Sequence, residues 1–114
     1  MILPILLSIA SPVQDAPLSP ADRDDLRCVA AFSVVLSAVS EEQKAGVTAG
    51  VMYFIGRLDG RSSGFDLQAN LPRAAADMDD QAKLTTEIQR CAGILASKGQ
   101  ELIAIGQQMQ NSGN

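Results

Sequence analysis

The chain of 114 residues contains no histidine and no tryptophan, and it has only three Phe and one Tyr. Histidine is the side chain that most often acts as a general base, a metal ligand or a proton switch near neutral pH. Its absence excludes Ser-His-Asp and Cys-His catalytic sites and the common zinc sites. We therefore expect no enzyme activity, no metal and no cofactor. Because aromatic residues are few, the core must be mostly aliphatic.

Positive charge is scarce and scattered along the chain. Nine Lys and Arg face 13 Asp and Glu, which gives a formal net charge of -4 and a pI near 4.6. An acidic chain without a basic stripe repels a phosphate backbone, so nucleic acid is not expected as a partner. Apolar residues make up 46% of the chain, as in folded globular proteins. The length allows one domain with one core.

A hydrophobic run long enough for a membrane span is also missing. The apolar run Ile2 to Ile9 is too short to cross a bilayer. Ser8-Ile9-Ala10 places small residues at the two positions that a signal peptidase recognises. We interpret residues 1–18 as a signal peptide with a short linker and residues 19–114 as one helical domain, which predicts a periplasmic or secreted protein. The alternative is a flexible apolar N-terminus on a cytosolic protein.

The two cysteines, Cys28 and Cys91, are expected to form a disulfide, because an even number of cysteines in an exported chain pairs by default. Each cysteine lies on an apolar stripe of helical spacing, which directs both sulfur atoms into the core. Phe32, Val35 and Val39 continue the stripe of Cys28, and Leu84, Ile88 and Leu95 continue that of Cys91. In a cytosolic protein the alternative is two unpaired buried thiols.

Capping signals predict where the first two helices begin. Ser19 is a favourable N-cap before Pro20, which predicts a first helix from Pro20 to about Ala38. A capping box that begins at Ser40 predicts a second helix almost at once, with Gly60 as its left-handed C-cap. So short a connection favours antiparallel neighbours.

The second half of the chain predicts a broken helix followed by a long one. The segment from Asp66 to Met78 has a helical pattern, which Pro72 should break or restart with Asn70 as a cap. A regular stripe then predicts one helix from about Asp79 to Gln110, or two pieces with a bend at Gly99. The stripe consists of Leu84, Ile88, Cys91, Leu95, Lys98, Leu102, Ile105 and Met109. The expected fold is all-α, a small antiparallel bundle of four to five helices with one disulfide.

Clustered charges suggest two binding sites, each with a structural alternative. Asp77, Asp79 and Asp80, with Asp66, have the oxygen ligands that a hard cation prefers. They lack the glycine turn and the terminal glutamate of a calcium loop, so we favour stabilisation of a helix N-terminus, as also for Asp24 and Asp25. Arginines flank the central loop and suggest an anion site, or else they are solvated or paired with acids such as Asp59. These arginines are Arg57, Arg61 and Arg73.

Two further patterns are weaker. Gly46 and Gly50 have the spacing that marks close helix contact in membranes, but the apolar stretch around them is too short for a span. We expect these glycines to let another backbone approach in a soluble bundle. Glutamates are present for glycoside chemistry, but nothing in their spacing places two of them across a cleft. They are Glu41, Glu42, Glu87 and Glu101.

The segment Gly56-Arg57-Leu58-Asp59-Gly60 lies between one cysteine early in the first helix and another in the last helix. In an acidic, exported, helical chain of this size, this arrangement resembles the small periplasmic acid-stress chaperones of the HdeA-like group. The resemblance covers Cys28 to Cys91. It implies a holdase that exposes apolar surface when its 13 carboxylates are protonated below about pH 5.

The sequence thus predicts an exported helical binding or chaperone-like protein without catalytic activity. The alternative is a structural or interaction protein that works in its folded state, through self-association or a partner helix. The stripe along the last helix is long enough to serve a second chain after its neighbours are covered.

Overall fold

The computed structural model describes residues 18–113, and within this range the chain forms four helices and no strand. The helices are α1 (Pro20–Ala38), α2 (Glu41–Arg61), α3 (Leu67–Ala76) and α4 (Gln81–Ser112). The predicted all-α bundle is confirmed. The predicted signal peptide and linker lie outside the described residues, except for Leu18, which is half-buried and packs against the core.

Three of the helices begin at a side-chain cap. The Ser19 hydroxyl accepts a hydrogen bond from the Asp22 amide at 3.1 Å, as the sequence predicted. The Asp66 carboxylate caps α3 in the same way, and the Asp80 carboxylate caps α4. Ser40 occupies the N-cap of α2, but its side chain makes no capping hydrogen bond. The predicted start of α2 is correct, although the cap does not form.

The predicted end of α2 at Gly60 is wrong. The helix includes Gly60 and ends at Arg61, and the Ser62 amide donates to the Leu58 carbonyl at 2.9 Å. Among the described residues, Gly64 in the following loop is the glycine with a positive φ, at 75°. Arg61 continues the helix because its side chain reaches carboxylates on α1.

Pro72 does not break α3, and Asn70 is not a cap. The helix runs continuously through Pro72, and its N-cap is Asp66. Asn70 is buried inside the helix and donates from Nδ2 to the Asp66 carbonyl at 2.8 Å. A proline removes one helical hydrogen bond, and in this helix the packing of Leu67, Leu71 and Ala74 on the core helps to offset that loss.

The last helix is continuous, as predicted. It passes through Gly99 without interruption and ends at Ser112. The alternative of two pieces joined at Gly99 is therefore wrong. A regular spacing of apolar residues keeps one helix face on the core in the first half of α4, which offsets the low helix propensity of its glycines.

The core lies around α1, which contacts each of the other three helices. Contacts between the start of α1 and the end of α2 show that these helices are antiparallel. Phe32 and Phe54 meet at the centre with ring centroids 6.1 Å apart, and the surrounding side chains are mainly aliphatic. The buried hydrophobic residues are Leu26, Cys28, Val29, Ala30, Ala31, Phe32, Phe54, Leu58, Ala74 and Cys91.

Of the two glycines predicted to allow close approach, only Gly50 does so. A Cβ atom at Gly50 would lie 2.7 Å from Leu95 Cδ1 and 3.4 Å from Phe32 Cε2, so side chains approach it rather than a backbone. Gly46 has no such neighbour within 4 Å. Within residues 18–113, no helix is long and apolar enough to cross a membrane.

Candidate functional site

The sulfur atoms of Cys28 and Cys91 lie at disulfide-bonding distance, with the two Cα atoms 5.6 Å apart. Both side chains are completely buried. Arg90 reinforces this junction, because its guanidinium donates to the Asp24 carbonyl at 2.9 Å and lies 3.4 Å from the Cys28 sulfur. The first half of α4 is therefore fixed on α1 by a covalent link and a hydrogen bond.

An ion-pair network with buried carboxylates and partly exposed arginines joins the start of α1 to the end of α2. We call its four residues the arginine clamp: Asp22, Asp25, Arg57 and Arg61. Arg61 donates from Nε to the Asp22 carboxylate at 2.7 Å and from Nη2 to Asp25. Arg57 Nε lies 3.1 Å from the Asp25 carboxylate, which is buried. The hydrogen bonds to Asp25 and Asp22 raise the pKa of Arg61 above its ordinary value.

The arginine clamp bears on two predictions. The alternative that these arginines pair with acids is confirmed for Arg57 and Arg61, although the acids are Asp22 and Asp25 of α1 and not Asp59. Asp25 binds two guanidinium groups and does not serve as an exposed acid at a helix N-terminus. Arg73, the third arginine of the predicted anion site, donates to the Asn70 side chain on α3 at 3.0 Å.

A sequence signal for the clamp was present. Asp22 and Asp25 precede Val29 and Phe32 at spacings of three, four and three, so the acids continue a buried apolar face. Charged residues in register with a buried face are rarely unpaired, because desolvation of a lone charge is costly. Which arginine neutralises them depends on how α2 lies against α1, and the sequence did not show this.

The four acids proposed as cation ligands have structural roles. Asp66 and Asp80 are N-caps, and Asp77 lies 3.4 Å from Arg27. Asp79 accepts from Lys83 Nζ at 2.8 Å, and this hydrogen bond and charge lower the pKa of Asp79 and raise that of Lys83. The prediction that these acids stabilise a helix N-terminus is therefore correct for Asp80, which caps α4. No group of three metal-ligating side chains occurs in the part of the chain that the structure describes.

The glutamates considered for glycoside chemistry are mostly paired along their own helices. Glu41 accepts from Lys44 at 2.6 Å, Glu87 lies 2.7 Å from Arg90, and Glu101 accepts from Lys98 at 2.7 Å. These ion pairs connect residues one turn apart and do not face each other across a cleft.

A shallow groove of about 340 Å³ lies between α1 and the start of α4. Its charged walls are Arg27, Asp77, Lys83 and Glu87, and each of them takes part in an ion pair. The groove therefore presents mutually neutralised charges rather than a cluster of one sign that would hold a charged ligand.

The most unusual surface is the second half of α4. Every residue of Gln100–Ser112, which we call the projecting segment, is exposed. At 1.5 Å per residue its length is about 20 Å. It carries four large apolar side chains in water: Leu102 is 61% exposed, Ile103 57%, Ile105 43% and Met109 67%. An apolar cluster of this kind on a helix is typical of a protein interaction surface.

The projecting segment continues a stripe that is already in use. From Ile88 the stripe advances in alternating steps of three and four residues, the a and d spacing of a coiled coil. In the first half of α4 it packs against the core, through Ile88, Cys91 and Leu95. From Leu102 to Met109 the same face is exposed.

Charge disappears where the stripe becomes exposed. Lys98 is half-buried at the boundary, and its hydrogen bond to Glu101 raises the pKa of Lys98. From Leu102 to Gly113 the chain has no Asp, Glu, Lys or Arg. From Leu102 onward the projecting segment is thus an apolar face bordered by neutral amides rather than by charges.

The chain matches no protein-family model, no curated protein and no solved structure. The HdeA-like resemblance stays a prediction. The function is therefore inferred from the surfaces of the molecule.

Proposed function

We propose that this protein is a small exported interaction protein without catalytic activity, which presents the projecting segment as a docking helix for another protein chain. The observation that carries the proposal is the exposure of Leu102, Ile105 and Met109, which follow one face of α4. Large apolar side chains at helical spacing are the anchors by which an amphipathic helix binds a partner.

The energetics support a docking role. Complete burial of a Leu, Ile or Met side chain is worth about 1.5–3 kcal/mol. The side chains of the projecting segment are roughly half covered already, so a partner would add on the order of 1 kcal/mol for each one that it buries. Together these side chains contribute about 3 to 4 kcal/mol towards a reversible complex.

The helix is also preorganised for binding. A helix of this length is marginal in water when isolated. Here it continues a helix that is already fixed on α1 through Cys91 and Arg90. Less conformational entropy is lost on binding when the docking element is already folded.

We include export in the proposal because the sulfur atoms of Cys28 and Cys91 lie at disulfide-bonding distance. A buried disulfide that fixes α4 on α1 forms and persists in an oxidising compartment. A periplasmic or secreted location supplies that compartment and agrees with the apolar run at Ile2 to Ile9.

An acid-triggered chaperone is less well supported. The apolar surface is already exposed, and from Leu102 to Gly113 it has no titratable side chain. Protonation of carboxylates is therefore not needed to present it. A client-holding assay at acid and neutral pH separates the two functions, since the docking helix should bind equally well at both.

Site-specific photocrosslinking in the producing cell tests the proposed function. A photoreactive residue at Ile105 should give a defined protein adduct, and Leu102→Ser in the same chain should remove it. The matched control is the same probe at Thr85, which is exposed on the anchored half of α4. Equal adducts from both positions, or none from Ile105, would contradict a docking role.

A further inference from the structure

We infer that the chain docked on the projecting segment is a second copy of this protein, paired antiparallel about a two-fold axis beside Ile105. The inference rests on the proposed function and names its partner. The surface involved is the exposed part of the stripe: Leu102, Ile105 and Met109.

The spacing of the stripe favours a helix as the partner. The positions from Ile88 to Met109 span three heptads without a slip, with Lys98 as the only charged member. A strict seven-residue repeat keeps one face in contact with another helix that wraps around it. Within the bundle this repeat already packs on the core at Ile88 and Leu95, and the same register continues into the exposed region.

The absence of charge favours a copy of the same chain. Each molecule carries a net charge of -4, so two copies repel each other over most of their surfaces. The region from Leu102 to Gly113 has no charged side chain, which makes it the part of α4 on which two copies meet without like-charge repulsion.

The polar border of the stripe is self-complementary as well. Gln107, Gln108, Gln110 and Asn111 are exposed beside it. Each amide side chain both donates and accepts hydrogen bonds, so identical surfaces satisfy one another. An acidic or basic partner would find no charge to pair with on this part of α4.

An antiparallel arrangement fits the shape of α4. The stripe is nearly symmetric about Ile105, because Leu102 lies three residues before it and Met109 four residues after it. In an antiparallel pair Leu102 faces Met109 of the second copy, and Ile105 lies beside the two-fold axis, next to its own equivalent. Each contact is then repeated reciprocally, as in a closed two-fold interface. The two acidic bundles then lie at opposite ends of the paired helices, whereas a parallel pair would place them side by side.

Sedimentation velocity over a concentration series tests the pairing. The native protein should shift from monomer to dimer as its concentration rises. Leu102→Ser with Ile105→Ser should weaken the dimer by at least about tenfold. The matched control is Ile103→Ser, which removes a similarly exposed apolar side chain from the same helix but away from the stripe, and it should dimerise like the native protein.

The folded state of each variant is checked independently. The substituted side chains are exposed in the monomer, so helix content and the Cys28 to Cys91 link should be unchanged. An equal loss of dimer in Ile103→Ser would show that general hydrophobicity, and not the stripe, causes association. This result would overturn the inference.

Cysteine crosslinking tests the orientation. The chain has only two cysteines and both are paired, so an introduced thiol is the single free one. A mixture of Leu102→Cys and Met109→Cys chains should form a mixed dimer under mild oxidation, while Leu102→Cys alone should not. Crosslinking of Leu102→Cys to itself without the mixed product would overturn the antiparallel arrangement.

The outcomes separate this inference from the proposed function. One outcome is that the native protein stays monomeric at every concentration while Ile105 still crosslinks to a different protein in the cell. In that case the inference that the partner is a second copy is wrong, and the docking role stands. If neither the dimer nor an Ile105 adduct is found, both are wrong.

Discussion

Asp25 and its neighbour Asp24 provide a matched pair of substitutions for testing the packing of α1 on α2. Asp25→Ala and Asp24→Ala each remove one carboxylate from the same turn of α1 and change the net charge by one. Any effect on overall charge or on the helix dipole is therefore nearly the same in both variants. The difference between them reports the arginine clamp.

The contacts of the two carboxylates set the expected magnitudes. Asp25 is 1% exposed and binds both Arg57 and Arg61. Removing one partner of a buried ion pair costs about 3–5 kcal/mol. The arginine side chains are 39% and 34% exposed, so water partly hydrates them after the change, and we expect a loss of about 3 kcal/mol.

Asp24 is expected to contribute little. Its side chain is 56% exposed and lies 3.8 Å from Arg27. Exposed ion pairs of this kind are worth about 0–1 kcal/mol. We therefore expect Asp24→Ala to change the free energy of unfolding by less than about 0.5 kcal/mol.

Urea unfolding followed by far-UV circular dichroism, with the disulfide intact and at neutral pH, measures both variants. Asp25→Ala should also lower the Tm by roughly 15 °C, as expected for a domain of this size. Similar losses in the two variants would refute the buried placement of Asp25. A loss below about 1 kcal/mol for Asp25→Ala would show that its ion pairs contribute little.

A double-mutant cycle isolates the clamp itself. The combined loss from Asp25→Ala and Arg61→Ala should be at least about 1 kcal/mol smaller than the sum of the single losses, because the two side chains share one interaction. Asp25→Ala combined with Lys44→Ala should be additive, since Lys44 pairs with Glu41 on the exposed start of α2.

The remaining predictions concern the disulfide, the glycines of α2 and a surface ion pair. Removal of the disulfide, which joins residues 63 apart, should lower the free energy of unfolding by about 4 kcal/mol in the chain-entropy model, as measured by urea unfolding with and without reductant. Gly46→Ala should stabilise the protein by up to about 1 kcal/mol through helix propensity. Gly50→Ala should gain less stability because its new Cβ must displace Leu95. Equal gains in the two variants would contradict the close approach of Leu95 to Gly50. In an NMR titration the pKa of Asp79 should lie below its ordinary value and rise towards it in Lys83→Gln. The contribution of this pair is present above the ordinary pKa of an aspartate and is lost as the pH falls through the lowered pKa.

Local signals in the sequence were reliable where the interacting atoms are close along the chain. The N-cap of Ser19 uses an amide three residues away, so the start of α1 at Pro20 could be read from the sequence. The continuity of α4 was predictable for a similar reason, because its stripe repeats without a break from Leu84 to Met109. Cys28 and Cys91 each lie in register with apolar residues at helical spacing, and this indicated that both side chains are buried.

Signals that depend on distant residues failed. Arg61 contacts acids 36 and 39 residues away, and these contacts extend α2 beyond Gly60. Asp24 and Asp25 look alike in sequence, and only the approach of α2 makes one of them a buried ligand of two arginines. Pro72 remains inside α3, where packing of Leu67, Leu71 and Ala74 on the core helps to compensate for the missing hydrogen bond.

The sequence by itself determined the helix content, the long stripe of α4 and the positions of the cysteines on buried faces. The tertiary structure decided which half of the stripe is covered. Cys91 lies near the eleventh residue of a helix of 32, and it pairs with Cys28 in the middle of α1, which has 19 residues. At 1.5 Å per residue α4 is about 48 Å long and α1 about 28 Å. With the two helices joined at that point, the bundle ends near Gly99 and the rest of α4 extends past it.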